Sequence, residues 1–166
     1  MSPFVMHLDA AAPPGDQEYG VTAQSAGANH LAGTDARFGM RFDVGATPLP
    51  VNKLRYYARV AGTYRVRIHR DSDDALMATA DIVVAGGEVN TWREEDVTEV
   101  TLAASTRYTV SARNTTPATV DVYRNPSSIT YNSLITADSY RTGTGDGKPA
   151  GSVGATYWAA DMGFLV

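Results

Sequence analysis

Regular alternation of apolar and polar residues makes the stretch from Thr63 to Val84 the clearest element of the chain. Tyr64, Val66 and Ile68 are apolar and the residues between them are polar, which is the period-two pattern of a half-buried strand. After the polar cluster 70–74, apolar residues return at every second position. The pattern predicts an antiparallel β-hairpin whose apolar face is covered by further strands, because an isolated hairpin is only marginally stable in water.

Charge and size predict the register of this hairpin. One register places Arg65 opposite Asp81 and the large Val66 opposite the small Ala80. The register shifted by two residues pairs Arg65 with Thr79 instead, and it forfeits an opposite-charge pair worth roughly 0.2 to 1 kcal/mol. We therefore predict the register that joins Arg65 to Asp81.

The same alternation predicts other strands at 37–44, 54–60, 97–102, 107–112, 119–123 and 155–166. About seven to nine strands with short turns and no helical periodicity predict an all-β fold, a single antiparallel β-sandwich of jelly-roll type. The predicted core consists of same-parity residues from these strands: Phe38, Phe42, Tyr64, Val66, Ile68, Ile82, Tyr108, Val110, Trp158 and Phe164.

The first 34 residues differ from the rest in composition. Residues 1–34 are rich in Ala, Gly, Pro and Ser, and alternation is confined to Phe4, Met6 and Leu8. We interpret them as an N-terminal extended arm with one short strand, followed by the β-sandwich domain at 35–166. The arm is either a disordered leader or a strap that packs mainly against a neighbouring chain.

Residues 124–154 are rich in Asn, Ser, Thr, Gly and Pro and predict a long loop, with one short strand around 129–134. A loop of this length is uncommon inside a domain unless it carries a function or an interface. The loop contains Tyr131 and Tyr140, and Trp92 precedes the acidic trio 94–96. Because aromatic rings present flat apolar faces to ligands, these three side chains are the candidate contacts for a ligand or partner.

Composition limits the partners. The net charge of -4, with basic residues scattered along the sequence, argues against nucleic acid or an anionic membrane as the main partner. No apolar run approaches the length of a membrane span, so no membrane insertion is expected. The N-terminus lacks the cationic start and apolar stretch of a secretory signal, so synthesis in the cytoplasm is expected.

No motif indicates catalysis, a cofactor or a metal. The acidic run from Asp71 to Asp74 resembles the start of a calcium loop, but Leu76 and Ile82 stand where that loop needs Gly and Glu, which favours a solvated turn. The trio 94–96 is interpreted as an exposed loop rather than a catalytic carboxylate pair. The three histidines are far apart in sequence and lack metal-ligand spacing.

Several sequence segments between Arg37 and the C-terminus occur in a recognisable order. They are RFGMRFDV, LRYYARVAGTYRVRIHRDSDDALMATADI, the Trp92 region, VTLAASTRYTVSA and TYWAADMGFLV. This order resembles a bacterial surface-protein domain family of unknown function that also occurs in phage tail and virion proteins. The resemblance implies a β-sandwich without an attributed catalytic activity. The run Asp73-Asp74 departs from the family's usual Asp-Gly turn.

The resulting expectation is a non-enzymatic structural protein of a bacteriophage or phage-like particle, either a capsid decoration or a tail-associated subunit. It would reside in the virion and bind other virion proteins and copies of itself through strand pairing and apolar patches. The alternative is a carbohydrate-binding module or receptor-binding adhesin that binds a host-surface glycan through the 124–154 loop.

Overall fold

Strands make up most of the computed structural model, which describes residues 15–24, 28–32, 36–115, 120–124, 129–153, 157–158 and 160–166. A single turn of 3₁₀ helix lies at Gly86–Glu88. The strands in chain order are β1 (Gln17–Tyr19), β2 (Val21–Gln24), β3 (Ala28–Ala32), β4 (Ala36–Val44), β5 (Leu49–Ala58), β6 (Gly62–Arg70), β7 (Leu76–Val84), β8 (Thr91–Leu102), β9 (Arg107–Asn114), β10 (Val120–Arg124), β11 (Ile129–Tyr131), β12 (Ile135–Thr144), β13 (Gly151–Val153), β14 (Tyr157–Trp158) and β15 (Ala160–Leu165).

Two antiparallel sheets pack face to face. One has six strands in the order β13-β12-β4-β9-β6-β7, and the other has four in the order β1-β15-β5-β8. Two smaller sheets, β14-β10-β3 and β11-β2, complete the described pairing. This arrangement confirms the predicted all-β sandwich.

The β6–β7 hairpin has the predicted register. Arg65 pairs with Asp81 and Val66 with Ala80, so large residues face small ones. The ladder shifts between Ile68 and His69, just before the turn, and Leu76 then pairs with His69. As a result Leu76 is 49 % exposed and does not join the core, contrary to its place in the alternation.

The core lies between the inner faces of the two large sheets. The predicted core residues that are buried are Phe38, Phe42, Tyr64, Val66, Ile68, Ile82, Tyr108, Val110 and Phe164. The side chain of Trp158 lies outside the described residues. The rings of Tyr56 and Tyr64 stack across the two sheets with centroids 4.1 Å apart. Strands with one apolar face therefore bury it against each other, as the alternation requires.

Residues 129–153 correct the prediction of a long loop, because they form β11, β12 and β13. Strand β12 runs antiparallel to β4 over almost its whole length. Its sequence, ITADSYRTGT, has few apolar residues, and most of its side chains are only half-buried. Strand β8 also begins at Thr91 rather than at Val97, so the acidic trio 94–96 is an exposed part of a strand and not a loop.

The described part of residues 1–34 pairs within its own chain. Strand β1 pairs with β15, β2 with β11 and β3 with β10. These three strands correct the expectation that the segment holds one short strand, and packing against a neighbouring chain stays a prediction. The predicted Phe4 to Leu8 strand lies outside the described residues. Within the described residues, no helix is long and apolar enough to cross a membrane.

Candidate functional site

Two of the three candidate aromatic residues meet at one site. The hydroxyl oxygens of Tyr131 and Tyr140 are 2.6 Å apart and share a hydrogen bond, and both rings are half-buried. They line a cleft of about 370 Å³ with five residues of β12. Those residues are Ile135, Thr136, Ala137, Asp138 and Ser139.

Two irregularities in pairing shape this cleft. The β11–β2 ladder shifts at Tyr131, and the β12–β4 ladder shifts between Ala137 and Ser139. Asp138 is the extra residue at the second shift, and it accepts a hydrogen bond of 2.5 Å from Nε of Arg41. Such bulges bend a strand and redirect its side chains, which brings two tyrosines nine residues apart in sequence into contact.

The tyrosine end of the cleft carries two hydroxyl groups, and Asp138 adds a carboxylate that is paired with Arg41. Burial, followed by the hydrogen bond with Tyr140, raises the pKa of Tyr131 far above its ordinary value. A phenol pair that shares one hydrogen bond retains one O–H to donate to a ligand. A site of half-buried rings and hydroxyls suits a neutral polar molecule, such as a sugar, or a main-chain carbonyl of a partner.

Trp92 lies on β8 in the four-stranded sheet, whereas Tyr140 lies on β12 in the six-stranded sheet. It is half-buried on β8, with its ring 4.0 Å from the guanidinium carbon of Arg55. The centroid of the Tyr19 ring lies 3.8 Å from the same carbon, and the rings of Tyr57 and Trp92 form a T-shaped pair with centroids 5.6 Å apart. Trp92 therefore stacks on Arg55, and its role as a ligand or partner contact stays a prediction.

The stacked arginine forms a buried ion pair. Asp161 is fully buried, and its Oδ2 accepts hydrogen bonds from Arg55 Nε at 2.8 Å and from the Val21 backbone N–H at 3.0 Å. Burial raises the pKa of Asp161, whereas Arg55 and the backbone donors lower it. Gly163 permits the covering ring, because a Cβ there would lie 3.1 Å from Cε1 of Tyr19.

A second cleft, of about 350 Å³, opens beside this ion pair. Arg55, Tyr19 and Asn132 are among its lining residues, so it borders the turn that follows Tyr131. Sequence reasoning missed Arg55 and Asp161. The sequence feature that could have indicated this pair is Asp161, the single acidic residue in the otherwise apolar strand at the C-terminus.

Cations of the chain contact Asp71, Asp73 and Asp74 in the first acidic run, and Lys53 contacts Glu94 and Asp96 in the second. Asp73 accepts two hydrogen bonds from Arg70, which hold its pKa at about 2, and Lys148 bridges Asp71 and Asp74. Glu94 accepts a hydrogen bond of 2.7 Å from Tyr19. Within the described part of the chain, no group of three potential metal ligands comes together.

A third cleft, of about 400 Å³, lies between the edges of the two large sheets. Strand β7 ends one sheet and β8 ends the other, and the groove between them is lined by Leu76, Met77 and Val97 among others. Among the described residues, β7 pairs on one side only, with β6. In the described part of the chain its other side joins no strand ladder and borders the groove to β8.

No protein-family model matches the chain, and no curated protein is significantly similar to it in sequence.

Proposed function

We propose that the protein is a non-enzymatic assembly subunit of a bacteriophage or phage-like particle, which joins copies of itself and other particle proteins through the open edge of its larger sheet. The observation that carries the proposal is the character of β7. It is a nine-residue edge strand with two exposed apolar residues, Leu76 and Val83, at 49 % and 63 % exposure.

Edge strands of monomeric proteins are usually shortened, charged or interrupted by proline to prevent pairing. The opposite edge of the same sheet, β13, has only three residues. Strand β7 has no proline or lysine, and its one charged residue, Asp81, is already paired with Arg65. An edge of this kind favours main-chain pairing with another strand.

The edge strand of the four-stranded sheet, β8, is less suited to pairing with a second copy. Strand β8 is longer, but it carries Glu94, Glu95, Asp96 and Glu99. Two copies of β8 placed side by side would bring these carboxylates together, and like charges directly opposite destabilise a strand pair. Self-association is therefore directed to β7.

The sequence of β7 is complementary to itself. In an antiparallel pair centred on Ala80, Met77 faces Val83 of a second copy and Thr79 faces Asp81 of that copy. A pair centred on Asp81 would oppose two carboxylates, so this register is disfavoured. The favoured pairing is isologous. It covers Val83 of each copy and joins the two six-stranded sheets into one continuous sheet.

The experiment is the oligomeric state of the purified chain, measured by light scattering during gel filtration. We expect a dimer for the native chain and a folded monomer for Val83→Lys, with a melting temperature lowered only by the loss of association. Val166→Lys is the matched control, since Val166 is also exposed, at 52 %, but lies off the β7 edge. A native chain that is monomeric at all concentrations, or a dimeric Val83→Lys variant, would overturn assembly through β7.

The particle itself is tested by electron microscopy of the protein mixed with the structural proteins encoded beside its gene. Ordered addition of the native chain to particles or tails supports the proposal. If the native chain fails to bind them while it dimerises normally, the particle assignment is wrong and the edge assignment stands.

The tyrosine cleft favours a second function, glycan binding by a carbohydrate-binding module or receptor-binding adhesin. Its support is the half-buried hydroxyl pair of Tyr131 and Tyr140 in an open cleft of sugar size. A glycan array separates the two functions: specific binding by the native chain that is lost in Tyr140→Phe favours the adhesin.

A further inference from the structure

The cleft beside the buried ion pair is formed by residues from β1, β2, β5 and the turn after β11. We call it the arginine cleft. Its volume is about 350 Å³, and its lining residues are Glu18, Tyr19, Val21, Thr22, Arg55 and Asn132. Clefts of this size bind small molecules when a few fixed polar groups converge on them. The polar atoms that the arginine cleft leaves without a partner therefore determine what it can bind.

Arg55 supplies a hydrogen-bond donor to this cleft. Its Nε donates to Asp161 at 2.8 Å and its Nη2 donates to the Val21 carbonyl oxygen at 2.5 Å, while the rings of Tyr19 and Trp92 stack on the guanidinium group. Among the described residues Nη1 has no hydrogen-bond partner, and it is not one of the fully buried atoms. The side chain is only 9 % exposed, so this fixed N–H group is available to a molecule in the cleft.

Glu18 supplies an acceptor to the same cleft. Its Oε2 accepts a hydrogen bond of 2.5 Å from Asn132 Nδ2, and Oδ1 of Asn132 accepts one of 2.9 Å from the Leu134 backbone N–H. The backbone N–H of Asn132 donates to the Gly20 carbonyl oxygen at 2.8 Å. Within the described ranges Glu18 Oε1 has no hydrogen-bond partner. The carboxylate is therefore held in place with one oxygen available to accept.

The charges of the arginine cleft disfavour a charged ligand. Arg55 is neutralised by Asp161, whose Oδ2 lies 2.7 Å from Nη2. Glu18 contacts no cation in the part of the chain that the structure describes, so its negative charge is uncompensated. An anion would be repelled by Glu18, and a cation would be repelled by the guanidinium group. The ligand that fits is neutral and carries both a donor and an acceptor.

We propose that the arginine cleft binds one ring of a neutral sugar, with Arg55 Nη1 donating to a sugar oxygen and Glu18 Oε1 accepting from a sugar hydroxyl. A hydroxyl group can both donate and accept, and a sugar ring carries several of them side by side. Hydrogen bonds to ionised groups are stronger than those between neutral groups. The arginine cleft shares no lining residue with the tyrosine cleft, so this site is independent of glycan binding there.

The test is calorimetric titration of the native chain at neutral pH with glucose, galactose, mannose and N-acetylglucosamine. We expect at least one of the four sugars to bind, and Glu18→Gln to weaken its binding about tenfold, because the amide replaces a charged acceptor. The matched control is Glu95→Gln, which removes the same charge from an exposed residue outside the cleft and should leave the affinity unchanged. Acetamide has a donor and an acceptor but no sugar ring, and it should not bind.

A second arm tests the donor. Arg55→Lys keeps a cation for Asp161 but removes Nη1, and it should weaken binding of the same sugar at least tenfold. Melting temperatures verify that each variant is folded, and Glu18→Gln decides the question if Arg55→Lys unfolds.

The proposal is overturned if none of the four sugars binds, if native and Glu18→Gln chains have equal affinity, or if acetamide binds in place of the sugars. Sugar binding that is lost in Tyr140→Phe but retained in Glu18→Gln would also overturn it, and would assign the sugar to the tyrosine cleft.

Discussion

At the scale of single residues, the feature with the largest effect on stability is a buried ion pair in an apolar strand. Asp161 sits between Ala160 and Met162, and its charge is tolerated because Arg55 and the Val21 N–H bind the same oxygen. The aromatic rings of Tyr19 and Trp92 cover the guanidinium from two sides. Such a pair contributes little net stability but is costly to break.

Asp161→Asn should therefore destabilise the fold by roughly 3 to 5 kcal/mol, because it leaves the charge of Arg55 buried and unpaired. Asp43→Asn breaks a pair whose side chains are 39 % and 43 % exposed, and it should cost about 0 to 1 kcal/mol. Urea unfolding of both variants checks this difference. Equal losses would show that the Asp161 pair is not held as described.

The pH dependence of stability belongs to the same scale. Arg65 lowers the pKa of Asp81 below its ordinary 3.8. The stabilisation from this pair is complete above the unfolded-state value and is lost as pH falls through the lowered pKa. Melting temperatures should fall on acidification below about pH 4, and less steeply in Asp81→Asn. If the melting temperatures of the two proteins fell equally steeply below about pH 4, this assignment would be contradicted.

At the scale of elements, hairpin β6–β7 shows how charge and size act together. The observed register pairs Arg65 with Asp81 and also Arg67 with Thr79. A lysine at either position 79 or position 81 therefore meets an arginine directly across the ladder. Replacement of Asp81 has the further effect of removing a two-point ion pair.

Asp81→Lys should accordingly destabilise more than Thr79→Lys, by roughly 0.2 to 1 kcal/mol. The comparison is internally matched, since both variants add one lysine to the same face of the same strand. The free energy of unfolding in urea, measured at neutral pH, decides the order. The reverse order would mean that the Arg65–Asp81 pair contributes nothing in solution.

At the scale of the whole molecule, the first N-terminal strand, β1, forms one edge of the four-stranded sheet. Strand β1 pairs with β15, and the backbone of Val21 binds both members of the buried ion pair. Residues 17–24 therefore belong to the fold of this chain. A segment that docked only on a neighbour would leave the stability of the monomer unchanged.

Deletion of residues 1–24 should lower the melting temperature by about 6 to 12 °C, because exposure of the ion pair and loss of β1 amount to ~3 kcal/mol or more. Differential scanning calorimetry of the truncated and native chains is the measurement. An unchanged transition would restore the arm interpretation.

Much of this fold follows from local sequence. Alternation alone predicts β4, β6, β7 and β9 and their inward residues, because one buried face and one polar face impose a period of two. The hairpin register follows as well, since its partners are close in sequence. Strand β12 could not be predicted in this way, because its residues are mostly polar. It is a strand because it pairs with β4.

The candidate sites required the tertiary structure. Tyr131 and Tyr140 meet because two ladders shift register, and Trp92 stacks on Arg55 because β5 and β8 are neighbours. Arg37, Arg65 and Arg113 look scattered along the chain, yet three adjacent strands align them beneath Asp146. Sequence determines which face a residue takes within its strand. Strand order, decided by the packing of the whole core, determines which distant residues share that face.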